Sequence, residues 1–126
     1  MPAKRYGTKR AHGLKANQAI AANLPVFLAS GLAVGFAAAT PASLYVGTAT
    51  LGADATDQPD GSVFIEVDSA ETKFANAGDI TIADVGSDAF FSAANNVSAD
   101  SATNTRVPAG KIIQVDEDGV WVSTGV

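Results

Sequence analysis

The sequence has no cysteine and a single histidine, tryptophan and methionine in 126 residues. Without cysteine there is no disulfide framework and no thiolate chemistry. The one histidine, His12, sits in a stretch of clustered cations with no hydrophobic period, so Ser-His and Cys-His catalysis fail on inventory. A zinc site lacks ligands for the same reason. No glycine-rich phosphate loop follows a strand and opens a helix. Charge is missing over a long internal run, because Ala16 to Ala53 contains no Asp, Glu, Lys, Arg or His. Acids are missing from everything before that run, and after it 13 acids face only Lys73, Arg106 and Lys111.

The chain is therefore a basic beginning, an uncharged middle and an acidic body, with a net charge of −5 that hides the segregation. One domain is expected at this length, burying roughly 65% of the unfolded surface. Residues 1–18 read as an extended basic arm carrying Lys4, Arg5, Lys9, Arg10 and Lys15, and residues 19–126 as a single β-rich domain. The arm has no core of its own, so it should order on an acidic surface of a neighbouring molecule. Deleting residues 1–15 should leave the β core folded.

The uncharged middle could be an export signal, with residues 1–15 as its basic region and Leu24 to Ala39 as its apolar region. Pro25, Gly31, Gly35 and Pro41 interrupt it, however, and the apolar run falls short of the ~20 residues a membrane span needs. A β-hairpin fits better. Val26 to Ala29 and Leu32 to Phe36 flank the turn pair Ser30-Gly31, setting Ala29 against Leu32 and Phe27 against Val34. Phe27, Leu32, Val34 and Phe36 then share one face, and Val26, Leu28, Ala33 and Gly35 the other. Both faces are apolar and both need cover. The expected second cover is another subunit or a neighbouring protein, which makes Val26, Phe27, Leu28, Leu32, Val34 and Phe36 the expected interface.

Further strands are expected at Ser43 to Leu51, Ser62 to Asp68, Ile80 to Ile82 and Ala89 to Ser92. Ser69 to Asn76 reads as a helical turn or a loop. The last hairpin pairs Lys111 to Val115 with Val120 to Ser123 across Asp116-Glu117-Asp118-Gly119, with Gly119 in the left-handed conformation. Ile113, Val115, Val120 and Trp121 are its expected core residues. The sum is a mainly β fold with little helix: a small β-barrel, a β-sandwich or a tulip-like arrangement.

Most carboxylates fall in turns, which accounts for Asp60, Asp84, Asp116, Glu117 and Asp118 without an acid–base pair. Asp54, Asp57 and Asp60 lack the spacing of a calcium loop. The cations would favour nucleic acid, but the acidic body repels its backbone and Tyr6 alone is free to stack. No cofactor, metal, small-molecule substrate, nucleic acid or membrane is expected, and no enzymatic activity.

Leu24-Pro-Val-Phe-Leu-Ala-Ser-Gly-Leu-Ala-Val-Gly-Phe resembles the start of the capsid decoration, or cement, proteins of tailed bacteriophages, and Leu44-Tyr-Val-Gly-Thr-Ala-Thr resembles the strand that follows in them. Gly78-Asp-Ile-Thr-Ile-Ala-Asp-Val-Gly, Ala89-Phe-Phe, Asn95-Asn-Val-Ser and Ala109-Gly-Lys-Ile-Ile-Gln-Val-Asp-Glu-Asp-Gly-Val-Trp-Val are similar to minor capsid proteins of Mu-like phages. The segments span residues 20–123, and the basic beginning has no counterpart. The resemblance implies a homotrimer on the outer surface of a virion capsid, assembled in the host cytoplasm, with the major capsid protein as partner. A secreted or surface β domain with an N-terminal signal peptide is an alternative. So is a head-fibre, receptor- or carbohydrate-binding domain that exposes Phe90, Phe91 and Trp121.

Overall fold

The structure, a computed structural model, describes residues 7–124, which form twelve strands and two single 3-10 turns. Strands β1 (Lys9–Gly13), β3 (Pro25–Ala29), β4 (Leu32–Val34), β5 (Leu44–Ala49) and β7 (Phe64–Asp68) make one sheet in the order β1-β7-β5-β3-β4. An isolated parallel bridge from Leu14 to Ala33 brings the end of β1 round to β4, so the sheet curls into a first barrel. Strands β8 (Thr72–Asn76), β9 (Asp88–Ala93), β10 (Asn96–Ser98), β11 (Pro108–Asp116) and β12 (Gly119–Ser123) close a second barrel. The short strands β2 (Ala19–Ile20) and β6 (Ala53–Asp54) pair with each other. They help close the first barrel, with Ile20 and Ala55 buried in its core.

The hairpin register follows from its turn. Ser30 and Gly31 both take positive φ, 52° and 83°, the pairing whose twist matches a two-residue hairpin. Phe27 accordingly faces Val34 and Ala29 faces Leu32. Side-chain alternation then sends Phe27 and Val34 to one core and Val26 and Ala33 to another.

The two barrels are copies of one topology. The second runs β8-β12-β11-β9-β10, and it too is closed by a parallel pair, β8 with β10. In the first, Val26 lies opposite Gly47 and Phe27 opposite Tyr45, leaving Val46 as a bulge. In the second, Ala89 lies opposite Gly110 and Phe90 opposite Pro108, leaving Ala109 as the bulge. Leu28 faces Ala33 as Phe91 faces Val97. Ala49 faces Val67 as Ile112 faces Val122, and His12 faces Ile65 as Phe74 faces Val120. The loop that carries β6 between β5 and β7 is replaced in the second copy by the two-residue turn Glu117-Asp118.

The barrels do not meet symmetrically. Phe27 and Tyr45 point outward from the wall of the first barrel into the core of the second. There Phe27 meets Phe91 edge-on at 5.2 Å between ring centroids, and Tyr45 meets Phe74 at 6.1 Å and Phe91 at 5.0 Å. Phe36 completes the group against Phe27 and Phe91.

The mainly β architecture agrees with the sequence pattern, and several elements differ. Residues 69–76 contain strand β8 in place of a turn or loop. Residues 80–82 are not a strand: Ile80 is buried, and the reciprocal bonds between Thr81 and Asp84 cap a 3-10 turn over Ile82–Asp84. Ile113 is not a core residue. A bulge between Ile112 and Gln114 turns it outward at 42% exposure, and Ile112 takes the buried position. Val120 is fully buried, Val115 partly so, and Trp121 half-buried. Gly119 is not left-handed. It is held to glycine because a Cβ there would meet the Phe74 carbonyl oxygen at 2.8 Å.

Candidate interaction surfaces

The basic beginning is only partly an arm. Lys4 and Arg5 lie outside the described residues. Lys9 and Arg10 belong to β1, an edge strand laddered to the acidic strand β7 of the same chain, where Lys9 faces Asp68 and Ala11 faces Glu66. Leu14, expected in a coreless arm, is fully buried. The extended arm over residues 1–18 is thus corrected: the folded body begins by residue 9, since edge pairing and Leu14 fix this segment in cis.

The Thr8 hydroxyl donates to Asp68 Oδ1 at 2.6 Å, and the Ala70 N–H donates to the same oxygen at 2.9 Å. The Thr8 bond chiefly, with the Ala70 bond and the Lys9 charge behind it, holds the Asp68 carboxyl below its ordinary 3.8. A carboxylate lowered by folding stabilises the fold above its unfolded value and loses that contribution as pH falls through its folded value. Below pH 3.8, therefore, the Thr8 end of β1 should loosen before the rest of the sheet. Amide chemical shifts of Thr8 and Ala70 should follow one carboxylate titration, which Asp68→Asn abolishes; an unchanged titration in that variant contradicts the assignment.

Cations are treated differently in the two barrels. In the second, Lys73 bridges Asp118 at 2.5 Å and Asp116 at 3.6 Å, and Lys111 bridges Asp88 at 2.6 Å. The Lys73 pairing, chiefly its hydrogen bond to Asp118, raises the pKa of the amine. Arg106 donates to the Asp100 carbonyl at 2.9 Å. In the first barrel, among the described residues, Lys9, Arg10 and Lys15 form no salt bridge. His12, two residues from Arg10 on the same strand face, has its pKa lowered by burial and then by that guanidinium.

The expected interface of the hairpin is overturned at its centre. Val26 and Phe27 are fully buried and Val34 is 1% exposed, all within the chain's own cores. The first barrel covers one face and the second barrel the other, so no partner molecule is needed there. Leu28, Leu32 and Phe36 keep part of their surface in solvent. The solvent-exposed large apolar residues lie elsewhere, at Leu44, Leu51, Phe64, Ile82, Val85 and Ile113. Of the three aromatics that a ligand-stacking surface would expose, Phe91 is buried at 1%. Trp121 is half-buried and donates its indole N–H to Asp116 Oδ2 at 2.9 Å. Phe90 is half-buried on the outer wall of the second barrel.

The uncharged stretch forms β2 to β5, and among the described residues no helix is long and apolar enough to cross a membrane. Cleavage near Ala42 would remove Leu14, Val26, Phe27, Ala33 and Val34 from the cores. A surface depression of about 450 Å³ is lined by Ala19 to Ala21 and Gly52 to Asp54, with Asp54 the one ionisable residue in that lining. Among the described residues no three His, Asp or Glu side chains converge as a metal site. Comparison with protein-family models, with curated proteins and with solved structures finds no match.

Proposed function

We propose that this chain is a structural protein that binds the exterior of a tailed-phage capsid as a homotrimer and stabilises the shell, with the major capsid protein as its partner. Support comes first from the sequence resemblance, whose segments are the strands and turns of both barrels. The observation that carries the reading furthest is the distribution of satisfied charge. The acidic second barrel pairs its own lysines, while among the described residues Lys9, Arg10 and Lys15 form no salt bridge, and Lys4 and Arg5 add to them in sequence. Cations grouped on one edge of an acidic protein suit an acidic protein surface more than nucleic acid, which the body would repel. No unsatisfied hairpin face supports the reading, since both faces are covered in cis.

The test is co-sedimentation with expanded phage shells that lack their decoration protein. The chain should bind these shells and release them as salt rises, because exposed charge is screened over about 8 Å at physiological ionic strength. Lys9→Glu with Lys15→Glu, both at exposed positions, should lower occupancy about tenfold or more. Removing residues 1–6 should weaken binding and leave both barrels folded. Removing residues 1–15 should unfold the first barrel, since it deletes β1 and Leu14, whose side chain alone is worth roughly 2–5 kcal/mol. The expectation that this longer deletion leaves the core intact does not survive the structure. Failure to bind any shell, or binding indifferent to salt and to charge reversal, contradicts the proposal.

A further inference from the structure

We infer that the open mouth of the first barrel binds a second copy of this chain, through the outer wall of that copy's second barrel. This names contact surfaces for the homotrimer of the capsid reading, and it stands on a contact already made within one chain.

The second barrel's mouth is lined by Phe74, Phe91 and Val107, which are 5%, 1% and 4% exposed. It is filled by Phe27 and Tyr45 from the wall of the first barrel. The equivalent positions in the first barrel are His12, Leu28 and Leu44, by the matched registers of the two sheets. Among the described residues that mouth is left partly open: Leu44 is 49% exposed, and Leu28 and His12 are only partly buried. The other half of the joint is also left over. Phe90 and Pro108 occupy on the second barrel the wall positions of Phe27 and Tyr45 on the first, with Phe90 half-buried and Pro108 exposed.

Each chain therefore carries a used wall and mouth and a free wall and mouth of the same topology. A contact between unlike surfaces repeats head to tail, and it closes into a ring where the rotation allows. The free joint is more polar than the used one: Arg10 lies beside His12 at the mouth, and Asp100 stands two residues beyond Ser98 where Phe36 stands two beyond Val34.

The test uses the intact chain and two variants, Leu44→Glu in the free mouth and Phe90→Glu on the free wall, with mass read by light scattering over a concentration series. The wild type should exceed the single-chain mass of 12.7 kDa as concentration rises. Each variant alone should self-associate at least about tenfold more weakly, since a carboxylate is forced into an apolar contact. Mixed, the two should form a one-to-one pair and nothing larger, because one intact mouth and one intact wall remain between them. Circular dichroism of each variant checks that it folds, and Pro108→Glu, at an exposed position, replaces Phe90→Glu should the latter unfold. A wild type at single-chain mass up to about millimolar concentration overturns the inference. So does a mixture that fails to pair. Loss of shell binding by Leu44→Glu with self-association unchanged gives the mouth to the shell instead, and also overturns it.

Discussion

Gly110→Ala should remove a large part of the stability of the fold. Gly110 lies in β11 at φ +129°, a backbone region closed to side chains, and a Cβ there would stand 2.0 Å from the Ser123 carbonyl oxygen. The obstacle is backbone, so no rotamer change relieves it. Strain and forced separation of β11 from β12 should together cost on the order of 4 kcal/mol or more, against a total stability of about 5–15 kcal/mol for a domain. Gly47 is its equivalent in β5, at φ +131° with 2.4 Å to the Asp68 carbonyl oxygen, and Gly47→Ala should behave the same way. Gly31→Ala is the control. Gly31 is also left-handed at +83°, but no atom lies within 4 Å of a Cβ there, so only about 1–2 kcal/mol of conformational cost applies. Urea unfolding of the three variants checks the order. A Gly110→Ala protein as stable as Gly31→Ala would refute the shared bulge.

Phe27→Ala should lose roughly 3–5 kcal/mol, and Phe90→Ala, at the equivalent wall position, less than about 1 kcal/mol when measured in dilute solution. The two phenylalanines differ in what they enter. Phe27 is fully buried against Phe36, Tyr45 and Phe91, and its removal leaves a cavity at the junction of the barrels. Phe90 belongs to neither core and keeps part of its ring in water. Tyr45 lies beside Phe27 in the same joint, where burial raises the pKa of its hydroxyl and the Thr72 side chain partly opposes that rise. The edge-on aromatic contacts of Phe27 and Tyr45 with Phe91 and Phe74 hold the joint. Equal losses at Phe27 and Phe90 in chemical denaturation would contradict the one-sided seating of the barrels.

The local pairings were legible because their signals are local. Ser30-Gly31 sets the hairpin register, and Val63, Ile65 and Val67 alternate inward as their spacing requires. The last hairpin is likewise readable from the polar run between two apolar ones. Strand β8 was hidden because Phe74 is its one buried large residue, too little for an alternating pattern. Strand β1 was hidden because an edge strand bearing Lys9, Arg10 and His12 looks like a solvated arm; charge on an edge is also how a sheet keeps strangers off. Ile80-Thr81-Ile82 imitates a strand, and the Thr81–Asp84 cap decides otherwise. The repeated barrel topology is the feature the sequence conceals most. Phe27 with Phe90, Gly47 with Gly110 and Val67 with Val122 are the kept residues, too few and too unevenly spaced to show as a repeat. The same concealment makes the outer face of the hairpin read as an interface. The cover for the outer face of Phe27 and Val34 is a second barrel far along the chain, which no short-range pattern reveals.

The most direct measurement is a dilution series in which mass and tertiary signal are read from the same samples, using near-ultraviolet circular dichroism and the fluorescence of Trp121. With both barrels completed in cis and the joint between copies made only from leftover surface, mass should fall to that of one chain while the tertiary signal stays constant. Loss of the tertiary signal in step with mass would mean that neighbouring copies complete the cores, and would contradict the account.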